Sequence, residues 1–318
     1  MQNMVALGRL ASVTYQFLVC TARLANNKRW SRYWKKVWHF CCQYFHGLVV
    51  TTIHGKSVVV NFGFTYPVFA RRFPLLNAPL VELAYQLRES KGRPIFFVDV
   101  GAAVGDTVLL LYANIPDGFS GFVCIDGDPE FFFCLGKNLG HLPGGRLVHC
   151  LLSDSENEVA GLIRTHSGTA SAQGNAKSKP MTLSSIVSEE VDLLKVDVDG
   201  FDGRVILGAL ALLRRCRPTV IFEWHPILCR QTSNSWNDHF AALVAEGYNT
   251  FLWFTKYGNF SHYMFGYSQR EVDAMAEYCL ADISLDWHYD VIALHDSSDI
   301  SLVELAKLDF ASKRPSKW

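Results

Sequence analysis

From residue 93 onward, short apolar runs alternate with amphipathic stretches, which predicts strands and helices in turn. Pro94-Ile95-Phe96-Phe97-Val98-Asp99-Val100 is almost wholly apolar and stops at a glycine, as a strand buried on both faces does. Further strands are expected over 122–126, 146–152, 192–198, 218–223, 250–254 and 290–294. Helices are expected over 106–113, from Pro129, where a missing N–H costs nothing, and over about 202–213 and 236–245. Strands followed by helices imply an α/β unit: seven strands in a mostly parallel sheet with helices on both faces. The polar segment 155–181 reads as a long connection holding an extra strand pair.

The first 92 residues follow another pattern. Trp30, Tyr33, Trp34, Val37, Trp38 and Cys41 recur at helical spacing as one apolar stripe, with Arg32, Lys35, Lys36 and His39 on the opposite face. Leu48 to Asn61 reads as a β-hairpin turning at His54-Gly55-Lys56-Ser57. The expected organisation is a basic N-terminal α/β extension (1–92), a main domain (93–296) and a C-terminal helix or tail (297–318).

Composition places a core within this pattern. Hydrophobic residues make up 49% and charged residues 19% of 318, which indicates a globular chain. The formal charge is zero, yet residues 1–81 hold ten Lys and Arg and no acid. That asymmetry suits an acidic partner such as an anionic membrane leaflet. Nucleic acid is disfavoured, because no recognised nucleic-acid fold appears and the basic excess stops before the main domain. Nine cysteines without CxxC spacing read as reduced thiols, hence a cytoplasmic chain. The uncharged stretch between Arg9 and Arg23 is too short to span a bilayer and makes a weak signal peptide.

In an open α/β sheet, ligands bind beyond the carboxyl ends of the strands, where strand order reverses. There the first strand runs into Gly101-Ala102-Ala103-Val104-Gly105-Asp106-Thr107. This is G-x-x-x-G, not the G-x-G-x-x-G that cradles a pyrophosphate. A cofactor without phosphate, S-adenosylmethionine, fits better, since its amino and sulfonium groups favour carboxylates such as Asp99. Asp126 ends the second strand, where an acid can accept ribose hydroxyls. Ser153 and Asp154 end the third, in reach of an adenine edge. Singly, each has a plainer reading: the glycines as a turn, Asp106 or Asp128 as a helix cap. In order, at three consecutive strand ends, they favour a cofactor site made of Asp99, Gly101, Ala103, Gly105, Asp106, Thr107, Asp126, Ser153 and Asp154, and Asp197 near the end of the 192–198 strand is counted with them.

The run from Val98 to Thr107 resembles the first motif of FkbM-type methyltransferases. Cys124-Ile125-Asp126-Gly127-Asp128-Pro129-Glu130, Leu152-Ser153-Asp154, Leu194-Lys195-Val196-Asp197-Val198-Asp199-Gly200-Phe201-Asp202 and Phe222-Glu223-Trp224-His225 resemble later motifs, in order. The resemblance covers about 93–230 and is weaker at Tyr66-Pro67 and Asn77. The chain departs where the family usually has Glu (Asp126, Asp199, Asp202), Pro (Gly127) or Asn (Ala103). The resemblance implies a Rossmann-like class I methyltransferase fold, S-adenosylmethionine as donor, and O-methylation of a sugar, glycolipid or related small metabolite.

On the acceptor side, Lys195, Asp197 and Asp199 alternate along one strand and share a face. Glu223 and His225 end the next strand. Transfer to an alcohol needs in-line placement and removal of a weakly acidic proton. His225 is a candidate base, with Asp197 or Glu223 orienting it or sharing the role, and Lys195 completes the catalytic set. Three readings stay open beside this. Asp197, Glu223 and His225 could hold a divalent cation, although their spacing matches no recognised metal site and no metal is assigned. His225 could be a loop histidine, and Lys195 a plain ion-pair partner. The basic helix at 28–42 either packs on the domain or a second subunit of a homodimer, or lies peripherally on the inner membrane face. The rival to an enzyme is a non-catalytic membrane-associated binding protein with a methyltransferase-like fold.

Overall fold

A computed structural model describes residues 2–157, 159–166 and 169–312. Twelve strands occur among them: β1 (Leu48–Ile53), β2 (Lys56–Asn61), β3 (Ile95–Val100), β4 (Phe119–Asp126), β5 (Gly145–His149), β6 (Val159–His166), β7 (Thr169–Ser178), β8 (Leu193–Val196), β9 (Thr219–Trp224), β10 (Tyr248–Thr255), β11 (Phe260–Phe265) and β12 (Tyr289–His295). The central sheet has the order β11-β10-β12-β9-β8-β3-β4-β5. Strands β5, β4, β3, β8 and β9 are parallel, and β12, β10 and β11 pair antiparallel.

The expected Rossmann-like class I sheet is therefore present, with eight strands instead of seven. The additional strand, β11, mixes Ser261, His262 and Tyr263 among its apolar residues and pairs only along one edge, which is why no apolar run announces it. The strand expected over 146–152 ends at His149, and Leu152 makes an isolated parallel bridge with Met181. The helix expected over 202–213 breaks at Ala209 into Asp202–Gly208 and Leu210–Cys216. The extra strand pair in 155–181 is β6 with β7.

Side chains alternate across the sheet and feed two cores. Phe97, Phe122, Cys124, Leu193, Ile221 and Ile292 enter one cluster; Val98, Val123, Leu194, Val220, Phe222 and Val291 enter the other. Each large apolar side chain withdrawn from water contributes about 1.5–3 kcal/mol, which offsets the ordering of so many strands. The N-terminal extension joins the first core through Tyr15, Leu18, Val49, Val60 and Phe62. Its hairpin turns at His54-Gly55 alone, both at positive φ, because Ile53 pairs directly with Lys56.

The helix Ser31–Tyr44 divides the stripe expected on it. Trp34 is buried, Trp38 and Cys41 pack against the core, and the Trp34 indole donates to Thr21 Oγ1 at 3.2 Å. Trp30, Tyr33 and Val37, on the adjoining face, stay exposed, as do Phe40 and Tyr44. A helix lying on a domain turns only one narrow face inward, so a broad aromatic stripe splits between core and solvent.

Candidate active site

Strand order reverses beside β3, and the carboxyl ends of β3, β4, β8 and β9 open there onto a cavity of about 800 Å³. The turn after β3 is stitched to its neighbour. Gly101 and Ala102 N–H groups both donate to the Ile125 carbonyl, at 2.9 and 3.1 Å. Gly101 has φ +78°, and a Cβ there would overlap the Asp197 carbonyl oxygen at the end of β8. Only glycine lets these two chains pass so closely. Ala103 also has positive φ, +44°, a conformation that an asparagine tolerates better than an alanine.

Asp126 closes the loop from the other side. Its Oδ2 accepts from Ala103 N at 2.7 Å and its Oδ1 from Asp128 N at 2.8 Å. Gly101, Ala103, Asp106, Thr107, Asp126 and Asp197 all line the cavity. Asp99 does not. It lies fully buried beneath the loop, with Lys195 Nζ 3.5 Å from Oδ1. Gly105 starts the helix Asp106–Asn114 and packs on Leu139. Ser153 and Asp154 also stand off the cavity: Ser153 Oγ donates to Asp154, which is paired with Arg204 at 2.7 Å. Cys150, Leu151, Leu152 and Phe201 form the wall where those two were expected.

The β8 loop is shaped by one acid. Asp202 accepts from the Val198 and Gly200 N–H groups, both at 3.1 Å, and so holds Asp199 and Gly200 in a left-handed turn. Lys195 lies between Asp197, at 3.0 Å, and Asp99. Burial works against its charge, but Asp197 and Asp99 outweigh it and raise its pKa.

Glu223, His225, Lys256, Asp286, His288 and Asp290 line the far end. His225 is buried, and its Nε2 meets Asp286 Oδ1 at 3.1 Å; neither Asp197 nor Glu223 orients it. Glu223 instead faces His288, with Oε1 3.4 Å from Nε2. Burial first, then the neighbouring charge of His225, lowers the pKa of His288 to about 3.

Carboxyl groups dominate the lining: Asp106, Asp126, Asp128, Asp197, Asp199, Glu223, Asp286 and Asp290, against the cations Lys195 and Lys256. Burial, with like charges nearby, pushes Asp106, Asp126, Asp199 and Asp290 up to about 7. Glu223 is held well above the ordinary range by burial and then by Asp197 and Asp202. So much negative charge in one cavity is relieved by a positively charged ligand.

Residues 99–250 match the family model of the methyltransferase FkbM domain. The chain carries a methyltransferase FkbM domain. That span holds the β3 loop, Asp126, the β8 loop and the end of β9, but neither the β12 residues of the cavity nor the N-terminal extension. No curated protein matches the chain. Among solved structures, an FkbM methyltransferase from Methylobacillus flagellatus KT is 10% identical, with a TM-score of 0.36 over 63% of this chain and 43% of its own. The plantazolicin methyltransferase BamL, solved with S-adenosylhomocysteine, is 9% identical, with a TM-score of 0.41 over 91% of this chain and 99% of its own. At such low scores neither likeness bears on the function of this methyltransferase domain.

Sequence reasoning had no hold on Lys256, Asp286, His288 and Asp290, which reach the site only through strand pairing. Tyr66 and Asn77, which carried a weaker family resemblance, line the cavity from the N-terminal extension together with Phe64, Thr65 and Phe69.

Proposed function

We propose that the domain transfers a methyl group from S-adenosylmethionine to a hydroxyl of a sugar, glycolipid or related small metabolite. The observation that carries this reading is the acidic cavity. It receives the β3 glycine turn and Asp126 at one end, and Glu223 with the two histidines at the other. A donor with a sulfonium and an ammonium group neutralises the carboxylates, Asp126 takes the ribose hydroxyls, and Leu151, Leu152 and Phe201 flank the adenine. The acceptor then lies towards Glu223, His225 and Tyr66. Methyl transfer needs alignment of oxygen, methyl carbon and sulfur, which positioning supplies, and a proton acceptor, which the end of β9 provides.

This reading has a protonic signature. A cation beside Asp106 and Asp126, both near 7, favours their ionised forms, so binding releases protons. Affinity for S-adenosylmethionine is expected to rise as pH increases through about 7. S-adenosylhomocysteine, which lacks the sulfonium charge, should show a shallower rise. Calorimetry in buffers of different ionisation enthalpy measures both; equal proton release by the two ligands would count against charge complementarity as the basis of binding.

We infer a second role, for the N-terminal helices. Tyr33, Val37, Phe40 and Tyr44 are 63%, 49%, 65% and 69% exposed, beside Arg32, Lys35 and Lys36. Exposed aromatics flanked by cations suit the surface of an anionic bilayer, where a lipid-linked acceptor would lie. No helix among the described residues is long and apolar enough to cross a membrane. The full chain should co-sediment with phosphatidylserine vesicles, and Val37→Glu with Phe40→Glu should abolish this without changing the fold. Unaltered sedimentation of the variant, or dimerisation through this face instead, would remove the membrane role.

A further inference from the structure

We propose that His225, Asp286 and His288 form a binding site for one divalent first-row transition cation of the zinc or cobalt type, at the acceptor end of the cavity. One ligand atom from each of the three lies within 4.8 Å of the others. All three residues line the cavity, so a bound cation would keep positions open towards it. Two imidazoles and a carboxylate match the preference of such ions for mixed nitrogen and oxygen donors.

The hydrogen bonds around the set point the same way. His288 Nδ1 is 3.0 Å from the main-chain carbonyl oxygen of Asp286, which can only accept. The ring proton therefore sits on Nδ1, and Nε2 presents a lone pair, the arrangement found in metal-bound histidines. That lone pair lies 3.4 Å from Glu223 Oε1. Glu223 Oε2 and His225 Nδ1 are buried without a hydrogen-bond partner. The two rings stack at 4.4 Å and 20°, which sets them side by side. Lys256 Nζ donates to the Leu285 and Asp286 carbonyls and lies 3.7 Å from Asp286 Oδ2, leaving Oδ1 to the histidine side. Antiparallel pairing of β12 with β9 sets Tyr289 opposite Trp224 and Asp290 opposite Glu223, which brings the set together.

The site stands on this geometry; its role rests on the methyl-transfer reading. In that role the cation holds and acidifies the acceptor hydroxyl. The hydroxyl proton passes to the Glu223 carboxylate and the oxygen lone pair forms the new bond to the methyl carbon. The carbon–sulfur bond breaks, its electron pair staying on sulfur as a neutral thioether. His225 is then a ligand and Glu223 the proton acceptor.

The test uses the full chain, stripped with a chelator and titrated with Co²⁺ and Zn²⁺ while binding of S-adenosylhomocysteine is followed separately. One equivalent of Co²⁺ should bind, with visible bands of a nitrogen–oxygen site and no thiolate charge transfer. Asp286→Ala and His288→Ala should each weaken uptake by roughly ten-fold or more, with the affinity for S-adenosylhomocysteine nearly unchanged as proof of fold. Absence of saturable uptake by wild-type protein that binds S-adenosylhomocysteine would overturn the site. So would uptake retained when both histidines are replaced, or thiolate bands placing the metal on cysteines. Saturable uptake without any methyl transfer would keep the site and remove the functional reading instead.

Discussion

Gly101→Ala is expected to lower the affinity for S-adenosylmethionine by at least about 100-fold, the equivalent of two factors of ten at about 1.4 kcal/mol each. Two costs combine at this position. An alanine at φ +78° pays roughly 1–2 kcal/mol for a left-handed backbone. Its Cβ would also overlap the Asp197 main chain, which cannot rotate away as a side chain could; crowding of this kind costs about 1–3 kcal/mol. Relief requires the β3 turn and the β8 end to separate, and both line the cavity in which we place the donor. The melting temperature should fall by several degrees as well. Gly136→Ala is the control: it lies in the helix Pro129–Leu139, and a Cβ there meets nothing within 4 Å. Titration calorimetry on the two variants decides; a Gly101→Ala protein that binds normally would mean the turn is not the donor's cradle.

Glu223→Gln is expected to reduce kcat by about 10²–10⁴-fold, the usual contribution of a general base, with donor affinity changed only a few-fold. The substitution keeps size and shape and removes the ability to take a proton. Glu223 is directly opposite Asp290 across β9 and β12, and burial, with acids nearby, raises both carboxyls, so ionising the pair there is costly. Removing one of them should leave the fold at least as stable, so lost turnover could not be blamed on unfolding. Single-turnover kinetics with saturating donor, beside a thermal melt, separates the two effects. Unchanged turnover would assign proton removal to another group.

The part of the cavity around the β3 and β8 loops was legible in the sequence because it is local. The β3 run, its glycine turn, Asp126 and the Lys195–Asp202 stretch each lie within a few residues of a strand end, and parallel strands bring those ends to one side. Asp126 lines the cavity wall, whereas Asp154 is paired with Arg204, a partner fifty residues distant in the chain, and Ser153 Oγ donates to Asp154. The part around Glu223 and His225 was less legible for the same reason. His225 was visible as a polar residue after β9, but its partner Asp286 lies 61 residues away and comes to it by antiparallel pairing whose register no run of residues reveals. The helix Ser31–Tyr44 shows a third limit: periodicity identified an apolar stripe, but only packing decided that Trp34 goes inward while Tyr33 stays out.

Direct titration of the wild-type chain with S-adenosylhomocysteine and S-adenosylmethionine tests the central claim most simply. The account predicts saturable one-to-one binding of both, strongly weakened in Gly101→Ala and weakened in Asp126→Ala. A folded protein that gives no binding heat with either ligand would contradict it.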